Sequence, residues 1–342
     1  MAETGDRAQD RAPLSEEALI ARYFVPLAKD FPGAYGLRDD AAVIEVPDGH
    51  DLVVTTDALI AGVHFFADDA PADIGWKALA VNVSDLAAKG ATPLAYSLAL
   101  ALPPPPSAEF LAGFAAGLGE AQARFGIALC GGDTTSTRGE TMISVTAFGT
   151  VPHGQALQRG NARPGDSLYV SGTIGDAALG LKLRRGDAET AGWPIGEDAR
   201  RWLIHRYLRP EPRTALAPAL LAHASAAMDV SDGLGIDCRR LCAAAGVAAG
   251  IDAAAIPFAA EALPLVQSPS LLRAAITGGD DYEILAAIRG GEETAFEAAA
   301  ARAGIGVTRI GVLAAGAPSV TISAPDSTTL DLGSGGYEHF RS

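Results

Sequence analysis

Two α/β domains, residues 14–152 and 153–342, are what this sequence predicts, and three observations carry the prediction. The 342 residues suffice for two domains of ordinary size. Strand-like and helix-like runs alternate from Leu52 to Val151 and again from Ser167 to Val312, the signature of layered sheet and helix. Between these stretches stands the turn Arg163-Pro-Gly-Asp166. The first sheet is expected to be mixed or antiparallel, because its opening strands lie close enough to form a hairpin.

Each element follows from local chemistry. The first dozen residues read as a tail. Ser15, followed by two glutamates, caps a helix to about Ala28. Ala42–Val46 and Leu52–Thr56 are β-rich, and Pro47-Asp48-Gly49 turns between them. That hairpin would set Asp39 and Asp40 at the same end as Asp57. Asp73–Lys89 is helical and stops at Gly90; Asn82 and Asp85 share a face three residues apart. Leu94–Leu102 is a buried strand, Ser107–Arg124 a helix, and Ile127–Cys130 a strand ending at Gly131-Gly132-Asp133. Thr141–Val151 closes the first domain.

In the second domain, Ser167–Ser171 is a strand, and Gly172 and Gly175 lead into the helix Asp176–Arg184. Ala215–Ala227 is alanine-rich and expected to be helical, running into Met228-Asp229-Val230. A helix follows at Gly235–Ala245, then strands at Val247–Asp252 and Ile284–Ile288. Glu292–Arg302 and Val307–Val312 form a last helix and strand.

The bulk numbers exclude several classes. Formal net charge is −15, so no basic stripe for nucleic acid exists. Three cysteines, Cys130, Cys238 and Cys242, form an odd, sparse set that suits a reducing compartment rather than a disulfide framework. The longest uncharged stretch, Ala91–Ala108, is broken by Pro93 and Pro103–Pro106 and cannot be a membrane span. Residues 1–13 are polar and hold no apolar run, so a cytoplasmic protein is expected. Neither a P-loop, a GxGxxG turn, a kinase HRD/DFG set, an EF-hand loop nor GxSxG is present.

What remains is aspartate. Six short segments carry it beside glycine or a hydroxyl residue: Asp39 and Asp40, Asp57, Asp85, Asp133, Asp229 and Asp232, Asp280 and Asp281. Two carboxylates 4 Å apart repel by roughly 4 kcal/mol at an effective dielectric near 20, so a cluster must take protons, splay or hold cations. Hard Mg²⁺ prefers such oxygens and shares itself with substrate phosphates. Singly, Asp-Gly and Gly-Asp pairs are ordinary turn makers. Asp85, in an apolar helix, has no turn to make. Thr55-Thr56-Asp57 offers hydroxyl and carboxylate together, and Gly131–Thr135 would let backbone approach a phosphate.

Together these segments carry a resemblance. GLRDDAA, TTDALIAGVHF, KALAVNVSDLAAKGA, CGGDTT, LYVSGTIGDAALGL, Tyr207-Leu-Arg-Pro210, DVSDGL, GGDDYE and the terminal GGYEHF occur in order. The chain resembles the thiamine-monophosphate kinase family along essentially its whole length, within the group that includes aminoimidazole ribonucleotide synthetase and selenophosphate synthetase. The resemblance implies that group's two-domain fold, an N-terminal ATP- and magnesium-binding domain with a C-terminal α/β domain. It also implies a homodimer and transfer of the ATP γ-phosphoryl group to thiamine monophosphate.

Position by position, it implies Asp39, Thr55, Thr56, Asp57, Asp85, Asp133, Asp229 and Asp232 as ligands of several Mg²⁺. Gly132, Asp133, Arg159 and Ser231 would contact ATP; His64, Asp280 and Tyr337 would contact thiamine monophosphate. By composition alone, His64 reads as a packed or surface residue, Tyr337 as a tail anchor and Arg159 as a solvated loop charge. Asp280 stands where the family often has Glu, one methylene longer. No general base is expected, since a phosphate acceptor with a second pKa near 6 is largely ionised already.

Overall fold

The computed structural model of the protein describes residues 15–323 and 329–330. Ser15 caps α1 (Glu16–Leu19), its Oγ accepting from Ala18 N at 3.2 Å. The single helix expected to Ala28 is instead three short pieces: α1, a π-helical run Ile20–Phe24 and a 3-10 run Val25–Ala28. Pro26 explains the break, since it has no N–H for the carbonyl four residues earlier.

The first sheet has strand order β1-β4-β2-β3. Its strands are β1 (His50–Ile60), β2 (Thr92–Leu102), β3 (Ala128–Ser136) and β4 (Met142–Pro152), with α2 (Pro71–Ala88) and α3 (Ala108–Phe125) between them. The expected hairpin does not form. Residues 42–46 form no strand: the amide of Val43 is taken by the Gly33 carbonyl at 2.9 Å, and Val43 is 53% exposed. Only the turn survives, with His50 N donating to Pro47 O. β1 finds its sheet neighbour in β4, far along the chain, and stands at the sheet edge. β2 and β3 run parallel with Ala99 opposite Asp133.

The second sheet has order β10-β7-β9-β5-β8-β6. Along the chain come β5 (Ser167–Ser171), α4 (Asp176–Arg185), α5 (Glu197–Leu208), α6 (Ala217–His223) and β6 (Ala224–Val230). After them come α7 (Leu234–Ala245), β7 (Val247–Asp252), α8 (Leu263–Val266), α9 (Pro269–Thr277), β8 (Glu283–Ile288), α10 (Glu293–Arg302), β9 (Val307–Ala315) and β10 (Ser319–Ser323). Neighbouring strands are antiparallel except β10 with β7. One face packs Val170, Met228, Leu241 and Leu285; another cluster joins Tyr169, Leu220, Ala227, Ile284 and Phe296.

Residues 224–227, expected to be helical, are strand. Alanine favours helix by only tenths of a kcal/mol per residue. Pairing with β8 and burial of both faces outweigh that preference: Ala224, Ala226 and Ala227 are at most 2% exposed.

The chain divides into two compact units that interleave in sequence. One holds the described residues up to Glu45, with Thr56–Leu79 and Leu94–Ala147; the other holds Val46–Thr55, Ala80–Pro93 and the described residues from Phe148 onward. Asp85 and Thr55 therefore belong with Asp229, whereas Asp39, Asp57 and Asp133 belong to the first unit.

Candidate active site

In the second unit, the last half of α2 and the end of β6 bring charged groups together. Thr55 Oγ1 donates to Asp85 Oδ2 at 2.5 Å, and Ser84 Oγ donates to Asp229 Oδ2 at 2.9 Å. Asp229 is 4% exposed. Burial first and the Asp85 charge second push its carboxyl far above the usual carboxylate range, with Ser84 and Arg159 acting in the other direction. Two cations stand beside this pair. Lys89 follows α2, and its carbonyl accepts from Leu157 N, two residues before Arg159. Burial and the Arg159 charge lower the Lys89 ammonium. The Arg159 Nε is buried with no hydrogen-bond partner among the described residues. An acid pair, one member buried and one half-buried, flanked by two bases suits a ligand carrying both phosphate and cation.

Just beyond Asp229, the loop Ser231-Asp232-Gly233 wraps a carboxylate that sequence reasoning missed. Asp237 Oδ2 accepts from the amides of Ser231, Asp232 and Gly233 at 3.1, 2.9 and 3.2 Å. Its Oδ1 accepts from Arg240 at 2.8 Å, and Arg240 also pairs with Asp232. Burial raises the Asp237 carboxyl to about 6, opposed chiefly by the Asp232 amide. The signal that could have found it is an acidic residue in the first turn of a helix. Asp280 lies against this loop, its amide donating to Ser231 O at 2.8 Å, and its Oδ1 accepts from the Tyr282 hydroxyl at 3.2 Å.

The remaining predicted residues, Tyr337 apart, lie in the first unit. Asp39 is exposed and accepts the Asp40 amide at 2.8 Å. On β1, Thr56 donates to Val145 O at 3.0 Å and lies 2.9 Å from the Thr146 hydroxyl, while Asp57 is half-buried. Gly132 and Asp133 are exposed on β3; a Cβ at Gly132 would sit 1.9 Å from Leu98 O, so only glycine permits that approach. His64 Nδ1 accepts from Ile60 N at 3.0 Å, which assigns its ring proton to Nε2. Tyr337 lies outside the described residues. Among the described residues, no group of three or more His, Cys, Asp or Glu side chains is arranged to hold a metal ion.

Comparison with known proteins places this arrangement. Residues 38–151 match the AIR synthase related protein, N-terminal domain, and residues 163–323 match the corresponding C-terminal domain. The thiamine-monophosphate kinase of Caulobacter vibrioides is 43% identical over 314 residues, covering 91% of this chain and 87% of that protein. The chain belongs to the thiamine-monophosphate kinase family. Among solved structures of the family, the kinase from Stenotrophomonas maltophilia is 41% identical with a TM-score of 0.76, covering 83% of this chain and 89% of that one. AaThiL complexed with AMPPCP and TMP is 30% identical with a TM-score of 0.73, covering 88% and 91%.

Proposed function

We propose that this chain phosphorylates thiamine monophosphate with ATP, giving thiamine diphosphate. The observation that carries the reading is the pairing of half-buried Asp85 with buried Asp229, bonded to Thr55 and Ser84 and flanked by Lys89 and Arg159. Family membership supports it, as does the relative complexed with an ATP analogue and TMP.

The donor set fits magnesium. Every donor bonded in the acid pair is oxygen, and a cation beside Asp229 would offset the burial and the Asp85 charge that push its carboxyl up. Mg²⁺ sites commonly use one or two carboxylates with waters and substrate phosphates, so a pair suffices for one ion. We assign Asp39, Thr55, Thr56, Asp57, Asp85, Asp133, Asp229 and Asp232 as holders of several Mg²⁺. Bound there, Mg²⁺ supplies neutralising charge to two phosphates that repel one another.

The chain's own work is to bind and orient. Arg159 offers a fork to the ATP phosphates, and Gly132, Asp133 and Ser231 are assigned to ATP as well. His64, Asp280 and Tyr337 hold thiamine monophosphate, with Nε2–H of His64 as a donor. The acceptor oxygen is ionised near neutral pH, so no side chain is assigned as general base and the γ-phosphoryl group passes directly, in line.

We place ATP and metal binding and dimerisation in residues 14–152 and the completing half of the site in 153–342. A homodimer is supported by β1, an edge strand that exposes Leu52 and Val54 at 40% and 54%. A cytoplasmic location is supported by three buried free cysteines. Among the described residues, no helix is long and apolar enough to cross a membrane. The test is ADP release by the full chain with ATP and Mg²⁺. Thiamine monophosphate should stimulate it and aminoimidazole precursors should not; no ADP with any acceptor would sink the reading.

A further inference from the structure

Asp281 stands between two residues whose backbones are left-handed, Asp280 at φ 72° and Tyr282 at φ 50°. Neither is glycine, and such a conformation is costly and persists only where its surroundings over-determine it. Constraints act from both sides. On one side the loop is laid along the end of β6: Asp280 N donates to Ser231 O at 2.8 Å and Tyr282 N to Val230 O at 2.9 Å. Gly279 approaches so closely that a Cβ there would lie 2.3 Å from Ser231 O. On the other side the Asp281 side chain, 1% exposed, turns inward and accepts from Gly175 N at 2.6 Å and Ala177 N at 3.2 Å.

Those are the amides of the N-cap and of the second residue of α4. Its N-cap is Gly175, which has no side-chain oxygen to satisfy them. Asp281 thus caps a helix from 106 residues away. The residue after the loop is pinned as well: buried Glu283 accepts from Arg206 at 3.0 Å, from Arg213, and from the Ser171 hydroxyl at 2.6 Å. Asp280 is consequently oriented by neighbours on both sides, and the Tyr282 hydroxyl fixes its carboxylate.

We propose that Asp281 is a positioning residue for the phosphate acceptor: by bonding the Gly175 and Ala177 amides at the start of α4, it holds Asp280 in the conformation that grips thiamine monophosphate. The inference rests on the assignment of Asp280 to the acceptor made above. It also predicts selectivity. The ATP-side residue Ser231 meets this loop through its carbonyl but has a second anchor that does not involve Asp281, its own amide bonded to Asp237 at 3.1 Å. Loosening Asp281 should therefore disturb the acceptor and spare the nucleotide.

Two variants and one exchange measurement test this. Asp281→Asn keeps the shape and one acceptor oxygen, whereas Asp281→Ala removes both. The KM for thiamine monophosphate should rise about tenfold in the first and further in the second, with AMPPCP affinity within about twofold of the unaltered chain. In the unaltered full chain, deuterium exchange should open the amides of Gly175, Ala177, Asp280 and Tyr282 as one unit, with protection within about threefold. Asp281→Asn should expose all four together.

Independent exchange of the four amides overturns the proposal, whether or not the variants fold. So does an unchanged acceptor KM in Asp281→Asn, or an equal loss of both affinities, which marks general loosening. If the unaltered chain released no ADP with thiamine monophosphate, the functional reading would fail, and exchange alone would judge the clamp.

Discussion

Asp229 on β6 and Asp281 just before the paired strand β8 are both buried aspartates, and each has another carboxylate nearby, yet their hydrogen-bond partners differ. Asp281 meets two amide donors at the start of a helix. Asp229 meets one hydroxyl and then another carboxylate. Burial alone does not tell a structural acid from a functional one; the partners do. A carboxylate satisfied by N–H groups serves the fold even beside a like charge, while one left with a single hydroxyl beside a like charge is kept at a cost to the fold.

The sharpest way to break that distinction is at Asp229. Asp229→Asn should lower turnover by about a thousandfold, on the scale of losing one electrostatic stabiliser, while melting no lower than the unaltered chain. Turnover close to the unaltered rate would remove it from the site. Glu283 tests the structural side. It is fully buried between two arginines, and Glu283→Gln should cost about 3–5 kcal/mol in denaturant unfolding. A loss below 1 kcal/mol on that measurement would show the network to be replaceable.

Asp176 sharpens the comparison by pH. Burial raises its carboxyl to about 6, opposed by the Thr173 hydroxyl and Arg206. Because the folded value lies above the unfolded one, the folded chain binds more protons between about pH 4 and 6, and stability falls as pH rises through that window. The loss is at most about 3 kcal/mol. Asp176→Asn should flatten that slope, read from melting curves at several pH values. The smallest effect belongs to exposed Asp39. Asp39→Asn should change stability by less than about 0.5 kcal/mol, so any loss of activity would report on metal or substrate.

Much of this was legible in the residues. Alternating strand and helix patterns marked both sheets, and Asp85 stood out as an acid in an apolar helix that the structure buries almost entirely. Two kinds of signal misled. The run 42–46 has strand composition, yet its pairing depends on a neighbour that local pattern cannot name. Ala224–Ala227 has helix composition, yet sheet pairing decided it. Asp237 itself and the role of Asp281, which the sequence singles out only as one of the clustered acids, were hidden for a related reason. Their partners are backbone amides, which carry no residue identity, and for Asp281 they lie a hundred residues away.

The three thiols give the molecule built-in reporters of its own opening. Cys130 on β3 belongs to one compact unit and Cys238 and Cys242 on α7 to the other, all of them shielded from water. A maleimide can reach each only when its unit opens, so two labelling rates would time the two halves separately without any engineered probe.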